Sequence, residues 1–273
     1  MEWRETLKWL WRITRENFGN KADNSIWIDF DKTNDLKVMT FNIRRDNLKD
    51  GENNWQFRKD AIVTMIADTK PDIICMQEVM PHMAKYLKAK LSKYYDCKGL
   101  ECFTGKEVTK SFCVLGEGLL TFYRKDRFNL RHKQKIKLYD GRKINLRRAL
   151  VTQLHDFFTH RHIDVVNTHF CHLSDEARMW SFDKLGHWCL EQGGYYNTFL
   201  CGDFNCQGVS IVGFYRNTQD EFGTVNFFKG PSKRTIDYIY SNKPIYDSRV
   251  IREPYDGREF LSDHWPVLNT YRL

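Results

Sequence analysis

Short apolar runs, each ending on a polar side chain, constrain this chain most. "VMTFNIR" closes near Asn42, "IICMQE" on Glu78, "VVNTHF" near His169 and "FLCGDFN" on Asp203 and Asn205. "RTIDYI" carries Asp237, and "LSDHWPV" sets Asp263 and His264 just ahead of the last run. Runs of this length read as buried strands. Between the early ones the spacing turns helical. Phe57, Ala61, Ile62, Met65 and Ile66 share a face over 57–69, Pro71 stops that segment, and "HMAKYLKAKL" (82–91) is helical again. Residues 94–170 are mostly β-patterned, through "GLLTFYR", "RHKQKIKL", "ALVTQLHDFF" and "HIDVVNTHF". A helix is predicted from about Ser174, with Asp175 and Glu176 in its first turn, and further strands follow. Helices among mainly antiparallel strands predict an α/β fold of two packed sheets with helices outside. No linker divides 36–273, which is predicted to be one domain, with 1–35 an N-terminal helical appendage.

Core strands gain nothing by ending in charge. A ligand site does, because strand ends are rigid and can converge. The collected side chains are Asn42, Glu78, His169, Asp203, Asn205, Asp237, Asp263 and His264. Their carboxylate and amide oxygens suit a hard cation, Mg²⁺ or Mn²⁺. Zinc would call for more Cys and His, and "HFCH" (169–172) has no second Cys/His pair at finger spacing. Asp203 and Asn205, two apart, point to one side of an extended segment, whereas Asp263 and His264 would point apart. Singly, each has a bland explanation: Asn42 or Asp237 as a turn residue, His169 as a core histidine, Glu78 as the start of a helix. Their recurrence at five or six strand ends does not.

The net charge of +8 is concentrated. Residues 124–148 hold eleven Lys and Arg against Asp126 and Asp140, which points to a polyanionic partner such as nucleic acid. Within this segment Arg131, Lys133, Lys135 and Lys137 alternate, so one strand face would carry four cations. An edge strand defended by lysines would look the same. The eight cysteines include several inside apolar runs, which favours reduced thiols and a cytoplasmic protein. No apolar run is long enough to span a membrane, and "MEWRETLKWLWRITRENF" lacks the apolar stretch of a secretory signal. Trp3, Leu7, Leu10, Trp11 and Phe18 fall roughly on one helical face amid Arg4, Lys8, Arg12 and Arg15. That face is expected to pack on its own domain, the alternative being contact with a membrane or another protein.

"FNIR", "QE", "FYRKDRF", "NTHF", "GDFN", "IDYI" and "SDHWPV", in this order, resemble the endonuclease/exonuclease/phosphatase superfamily, and most closely its bacterial and phage metal-dependent hydrolases. The resemblance covers about residues 36–273. It implies a four-layer αββα sandwich and Mg²⁺-dependent hydrolysis of a phosphoester. By position, it implies Glu78 as the principal metal ligand with Asn42 close by and Asp263 as a second metal-side carboxylate. His264 matches a catalytic histidine oriented by Asp237, Asp203 and Asn205 the pair that positions water and phosphate, and His169 a phosphate contact. Whether Asp203 or His264 is the base stays open. Tyr123, Arg124 and Arg148 are further candidate phosphate contacts, and Glu117, between two glycines, a candidate for the substrate path. The expected activity is that of a metal-dependent nuclease. A phosphatase or phosphodiesterase of lipid or inositol phosphates is the alternative, although "KRTIDYIYS" lacks the Trp-Cys-Asp-Arg signature of the phosphoinositide enzymes.

Overall fold

The structure is a computed structural model that describes residues 3–18, 26–31, 33–101, 106–108, 115–138, 147–193, 196–217 and 220–273. Cys102, Cys113 and the middle of the basic segment (139–146) lie outside the described residues. The helices are α1 (Trp3–Phe18), α2 (Trp55–Thr69), α3 (Pro81–Leu91) and α4 (Asp175–Gly193). The strands are β1 (Asp35–Asn42), β2 (Ile73–Val79), β3 (Tyr95–Glu101), β4 (Gly118–Arg124), β5 (Phe128–Lys137), β6 (Arg148–Asp156), β7 (Arg161–His169), β8 (Asn197–Asp203), β9 (Tyr215–Arg216), β10 (Asp237–Ser241), β11 (Asp247–Val250) and β12 (Val267–Arg272).

These strands form two six-stranded sheets, ordered β11-β12-β1-β2-β4-β3 and β5-β6-β7-β8-β10-β9. Among the described residues, only the β1–β2 and β7–β8 pairings are parallel. Two-residue alternation then builds the layers. Met39 and Phe41 of β1 and Ile74 and Met76 of β2 face α2 and α3 in one core. Their neighbours Leu36, Val38, Ile73 and Cys75 face the second sheet, meeting Val165, Phe199, Cys201 and Ile239. The far side of that sheet, with Val166, Leu200 and Tyr240, packs on Phe182, Leu185 and Cys189 of α4. This is the expected four-layer αββα order. Six described cysteines are free, among them buried Cys75, Cys171, Cys189 and Cys201. No helix among the described residues is long and apolar enough to cross a membrane.

Helix limits follow local chemistry. The Asn54 side chain accepts from the Gln56 N–H at the start of α2, and Lys70 adopts the left-handed conformation just before Pro71 at its end. α1 lies against α3, but not by the stripe read from the sequence. Ile13 is fully buried and Trp9 and Leu10 partly so, whereas Trp3, Leu7, Trp11 and Phe18 are exposed. On β5, a bulge between Leu130 and His132 takes Arg131 out of the alternating row, leaving Lys133, Lys135 and Lys137 on the exposed side of an edge strand.

Candidate active site

Register collects the polar strand ends into one row. His169 closes β7, Asp203 closes β8 and Asp237 opens β10, and in register His169 pairs with Asp203 and Asp203 with Asp237. The other sheet supplies Asn42 at the end of β1 and Glu78 at a bulge of β2. Glu78, Arg44 and Asn205 all have positive φ, near 59°, 53° and 52°, a conformation that costs a non-glycine residue and concentrates at functional sites. Gly202 precedes Asp203 because a Cβ there would lie 2.1 Å from the Thr168 carbonyl oxygen. Buried Arg58 of α2 holds the loops in place, donating to the carbonyls of Ile43 at 2.8 Å and Leu261 at 2.6 Å.

Asp203 Oδ2 is the centre of the arrangement. It accepts from Asn42 Nδ2 at 3.0 Å and lies 3.4 Å from His169 Nε2 and 3.9 Å from His264 Nε2. Asn42 Nδ2 also reaches Glu78 Oε1 at 3.2 Å. His264 Nδ1 is 2.9 Å from Asp237 Oδ2, which also accepts from Thr224 Oγ1 at 2.6 Å. The Asn205 N–H donates to Asp203 Oδ1 at 2.9 Å, closing a tight turn. The extended geometry predicted for that pair is therefore absent, although both side chains still line the pocket. Asp263 and His264 also line it together, with Asp263 bridged to Arg44 at 3.2 Å. The pocket is about 470 Å³, and Glu117, Arg45, Arg147, His172 and Phe227 complete its wall.

Burial and charge set the protonation states. Burial opposes ionisation of Glu78, but the Arg45 N–H, Arg44 and Asn42 hold it below the usual carboxylate range. Burial and the adjacent Asp237 push Asp203 up to about 7. Burial disfavours the His264 cation, yet Asp237, Asp203 and Asp263 raise the imidazole to about 10, so it is cationic at neutral pH. Burial and Arg147 push His169 well below its ordinary range. Burial raises Asp263 and Glu117, and the Glu78 charge raises both further. That crowding of acids is what a bound cation relieves. Glu78 and Asp263 offer carboxylate oxygens that fit a hard divalent ion, with Asn42 beside them turning its nitrogen to Glu78 and its oxygen to the Arg44 N–H at 3.0 Å. A second grouping, Asp203, Asp237 and His264, has ligand atoms within 4.8 Å of one another, and Asp237 Oδ1 is buried without a hydrogen-bond partner.

Two expectations are corrected. Tyr123 and Arg124 sit at the opposite end of β4: Tyr123 pairs with Ile73, and Arg124 is committed to Asp72 at 2.8 Å and Asp126 at 2.6 Å. Five residues of strand, about 16 Å, separate Ile73 from Glu78. Arg148 pairs in register with Lys137 and lies outside the pocket wall. Its neighbour Arg147 is inside, 3.0 Å from Glu117 Oε1 and 3.3 Å from His169 Nδ1. Arg44 and Arg45 were legible only as the tail of "FNIRR", His172 only as the end of "HFCH", and nothing local marked Phe227 as a lining residue.

Residues 39–264 match the model of the Endonuclease/Exonuclease/phosphatase family. Among solved structures, an endonuclease/exonuclease/phosphatase from Bacteroides vulgatus is 28% identical with a TM-score of 0.74, covering 88% of this chain and 99% of its own. A family protein from Bacteroides thetaiotaomicron is 25% identical at a TM-score of 0.76, covering 86% and 97%. A mannosyl-6-phosphatase of the same organism is 24% identical at 0.75, covering 86% and 98%. Among curated proteins, none matches the sequence. The chain belongs to the endonuclease/exonuclease/phosphatase family of divalent-metal-dependent phosphoric ester hydrolases.

Proposed function

We propose that this chain is a nuclease that hydrolyses phosphodiester bonds by attack of water. A Mg²⁺ or Mn²⁺ ion held by Glu78 and Asp263, with the Asn42 amide turned to add its oxygen, would polarise the phosphoryl oxygen and neutralise its charge. Asp203 faces the pocket with one oxygen held by Asn42 and the other by the Asn205 N–H, and it takes the proton of the attacking water. The water oxygen bonds to phosphorus as the ester bond breaks. His264 has one nitrogen committed to Asp237, so it presents Nε2 and its positive charge to the phosphoryl group. His169, Asn205, Arg44, Arg45 and Arg147 complete a cationic and hydrogen-bonding wall for the phosphate.

The observation that carries the choice of nucleic acid is the row Lys133, Lys135 and Lys137. It is exposed on edge strand β5 and runs toward Arg148, at the end of the sheet that holds His169 and Asp203. Such a row tracks a phosphate backbone. Half-exposed Phe227 in the pocket wall offers a ring for a base. A lipid phosphodiesterase is the second reading, favoured by the exposed aromatic stripe of α1. The test is one panel with Mg²⁺, Mn²⁺ or EDTA against single- and double-stranded DNA, RNA, phosphoinositides and sphingomyelin, with His264→Ala as control. Metal- and His264-dependent cutting of nucleic acid is expected. Turnover of a lipid or small phosphate alone would remove the nuclease reading and keep the site.

A further inference from the structure

The outer face of α1 carries four large exposed apolar side chains. Trp3, Leu7, Trp11 and Phe18 are 67%, 54%, 65% and 78% exposed. At 100° per residue they fall within an arc of about 80°, a continuous apolar stripe. Arg4, Lys8 and Arg15 border it, with Arg4 5.6 Å from the Trp3 ring and Arg15 5.3 Å from the Trp11 ring. The helix acids do not compete for that face. Glu5 bonds Lys8, and Glu16 is drawn toward Arg12 and Lys59.

The helix cannot roll over to bury the stripe on its own domain, because its other face is fixed. Trp9 Nε1 donates to Asp46 Oδ1 at 3.0 Å, Arg12 bridges Asp46 Oδ2 at 2.8 Å, and Lys85 Nζ donates to the Asn17 carbonyl at 2.9 Å. Asp46 lies on the loop that begins with Arg44 and Arg45 in the pocket wall. The outward stripe is therefore mounted rigidly beside the site.

We infer that α1 docks this chain on an anionic phospholipid surface, with Trp3, Leu7, Trp11 and Phe18 entering the headgroup boundary and Arg4 and Arg15 meeting the lipid charge. Tryptophan and phenylalanine with a basic border match that boundary in both polarity and sign. The inference stands on the outer face of α1 and does not require the nuclease reading.

The test is co-sedimentation of the full chain with vesicles of phosphatidylcholine, alone or with about one-third phosphatidylglycerol. Binding to the anionic vesicles with a blue shift of tryptophan fluorescence, weakened by added salt, is expected. Leu7→Glu with Trp11→Glu should reduce it by about tenfold or more with an unchanged circular dichroism spectrum. The salt response of the unaltered chain reads the electrostatic half without any variant. Absence of binding to anionic vesicles would overturn the inference, as would equal binding by the double variant. So would a concentration-dependent dimer that the double variant abolishes while vesicles are ignored, since a second copy would then cover the stripe.

Discussion

Asn42 and Asp203, 161 positions apart, meet at 3.0 Å between the amide nitrogen and the carboxylate. The contact joins the end of β1 in one sheet to the end of β8 in the other, so the two sheets must pack before the site exists. Asp203 also sits between His169 and His264. Asp203→Asn keeps the shape and removes the proton acceptor. Its kcat/KM should fall by about 100-fold or more with the fold intact by circular dichroism. Hydrolysis at the unaltered rate would mean another group takes the proton.

Metal dependence should be readable without substrate. An ion that binds the folded chain at 100 times its Kd adds about 2.7 kcal/mol of stability. Mg²⁺ or Mn²⁺ should therefore raise the melting temperature and EDTA reverse the rise. Glu78→Gln should abolish the shift, because Glu78 is the acid of the Asn42 and Asp263 group held fully ionised. A shift that survives in Glu78→Gln and vanishes in Asp237→Asn would move the ion to the Asp203, Asp237 and His264 grouping.

His264 and Asp237 predict a pH effect of defined sign. Asp237 is the main group raising the imidazole to about 10 against its burial, so the cation persists well above neutrality. Asp237→Asn removes that charge and lowers the His264 pKa. The alkaline limb of the activity profile should then move toward lower pH, with kcat down by about tenfold to 100-fold. A profile displaced toward higher pH would contradict the assignment.

Much of this was readable in the sequence, for a physical reason. Strand runs such as "DIICMQE" and "FLCGDFN" are buried on both faces, so their apolar continuity is plain, and their polar ends stand out against it. Direction was harder. Tyr123 and Arg124 end an apolar run as Glu78 does, but β4 runs antiparallel to β2, which puts its end at the wrong edge of the sheet. Of the consecutive arginines 147 and 148, only the register of β6 decides which enters the pocket. On α1, helical periodicity found the stripe of Trp3, Leu7, Leu10, Trp11 and Phe18 and missed the inward face of Trp9 and Ile13, which is fixed by Asp46 on a loop distant in sequence.

Asp46 makes the attachment of α1 sensitive to acid. Burial opposes its ionisation, but His82, Trp9 and Arg12 overcome this and hold the carboxyl well below the usual carboxylate range. A depressed folded pKa gives stability that is present above the unfolded value of about 3.9 and is lost as pH falls through the folded value. Asp46→Asn should cost about 3 kcal/mol at neutral pH, the scale of breaking a buried ion pair. Thermal unfolding of both forms should show that gap narrowing below about pH 4. A gap independent of pH would mean that the loss is one of packing and not of charge.

Gly202 offers the sharpest steric contrast among the described glycines. A Cβ there would sit 2.1 Å from the Thr168 carbonyl oxygen and 2.9 Å from its carbon, and neither is the end of a flexible side chain. β7 and β8 would have to separate at the residues just before His169 and Asp203. Gly202→Ala should therefore lose several kcal/mol, of the order of 3 or more, and activity should fall with the displaced row. Gly186 of α4 is the control: a Cβ there meets nothing nearer than 3.9 Å. Gly186→Ala should gain about 0.5–1 kcal/mol from helix propensity, leaving activity unchanged. Denaturant unfolding of the two variants checks both signs at once. Equal stability of Gly202→Ala and the unaltered chain would show that the strands can part there without strain, and the glycine before Asp203 would lose its explanation.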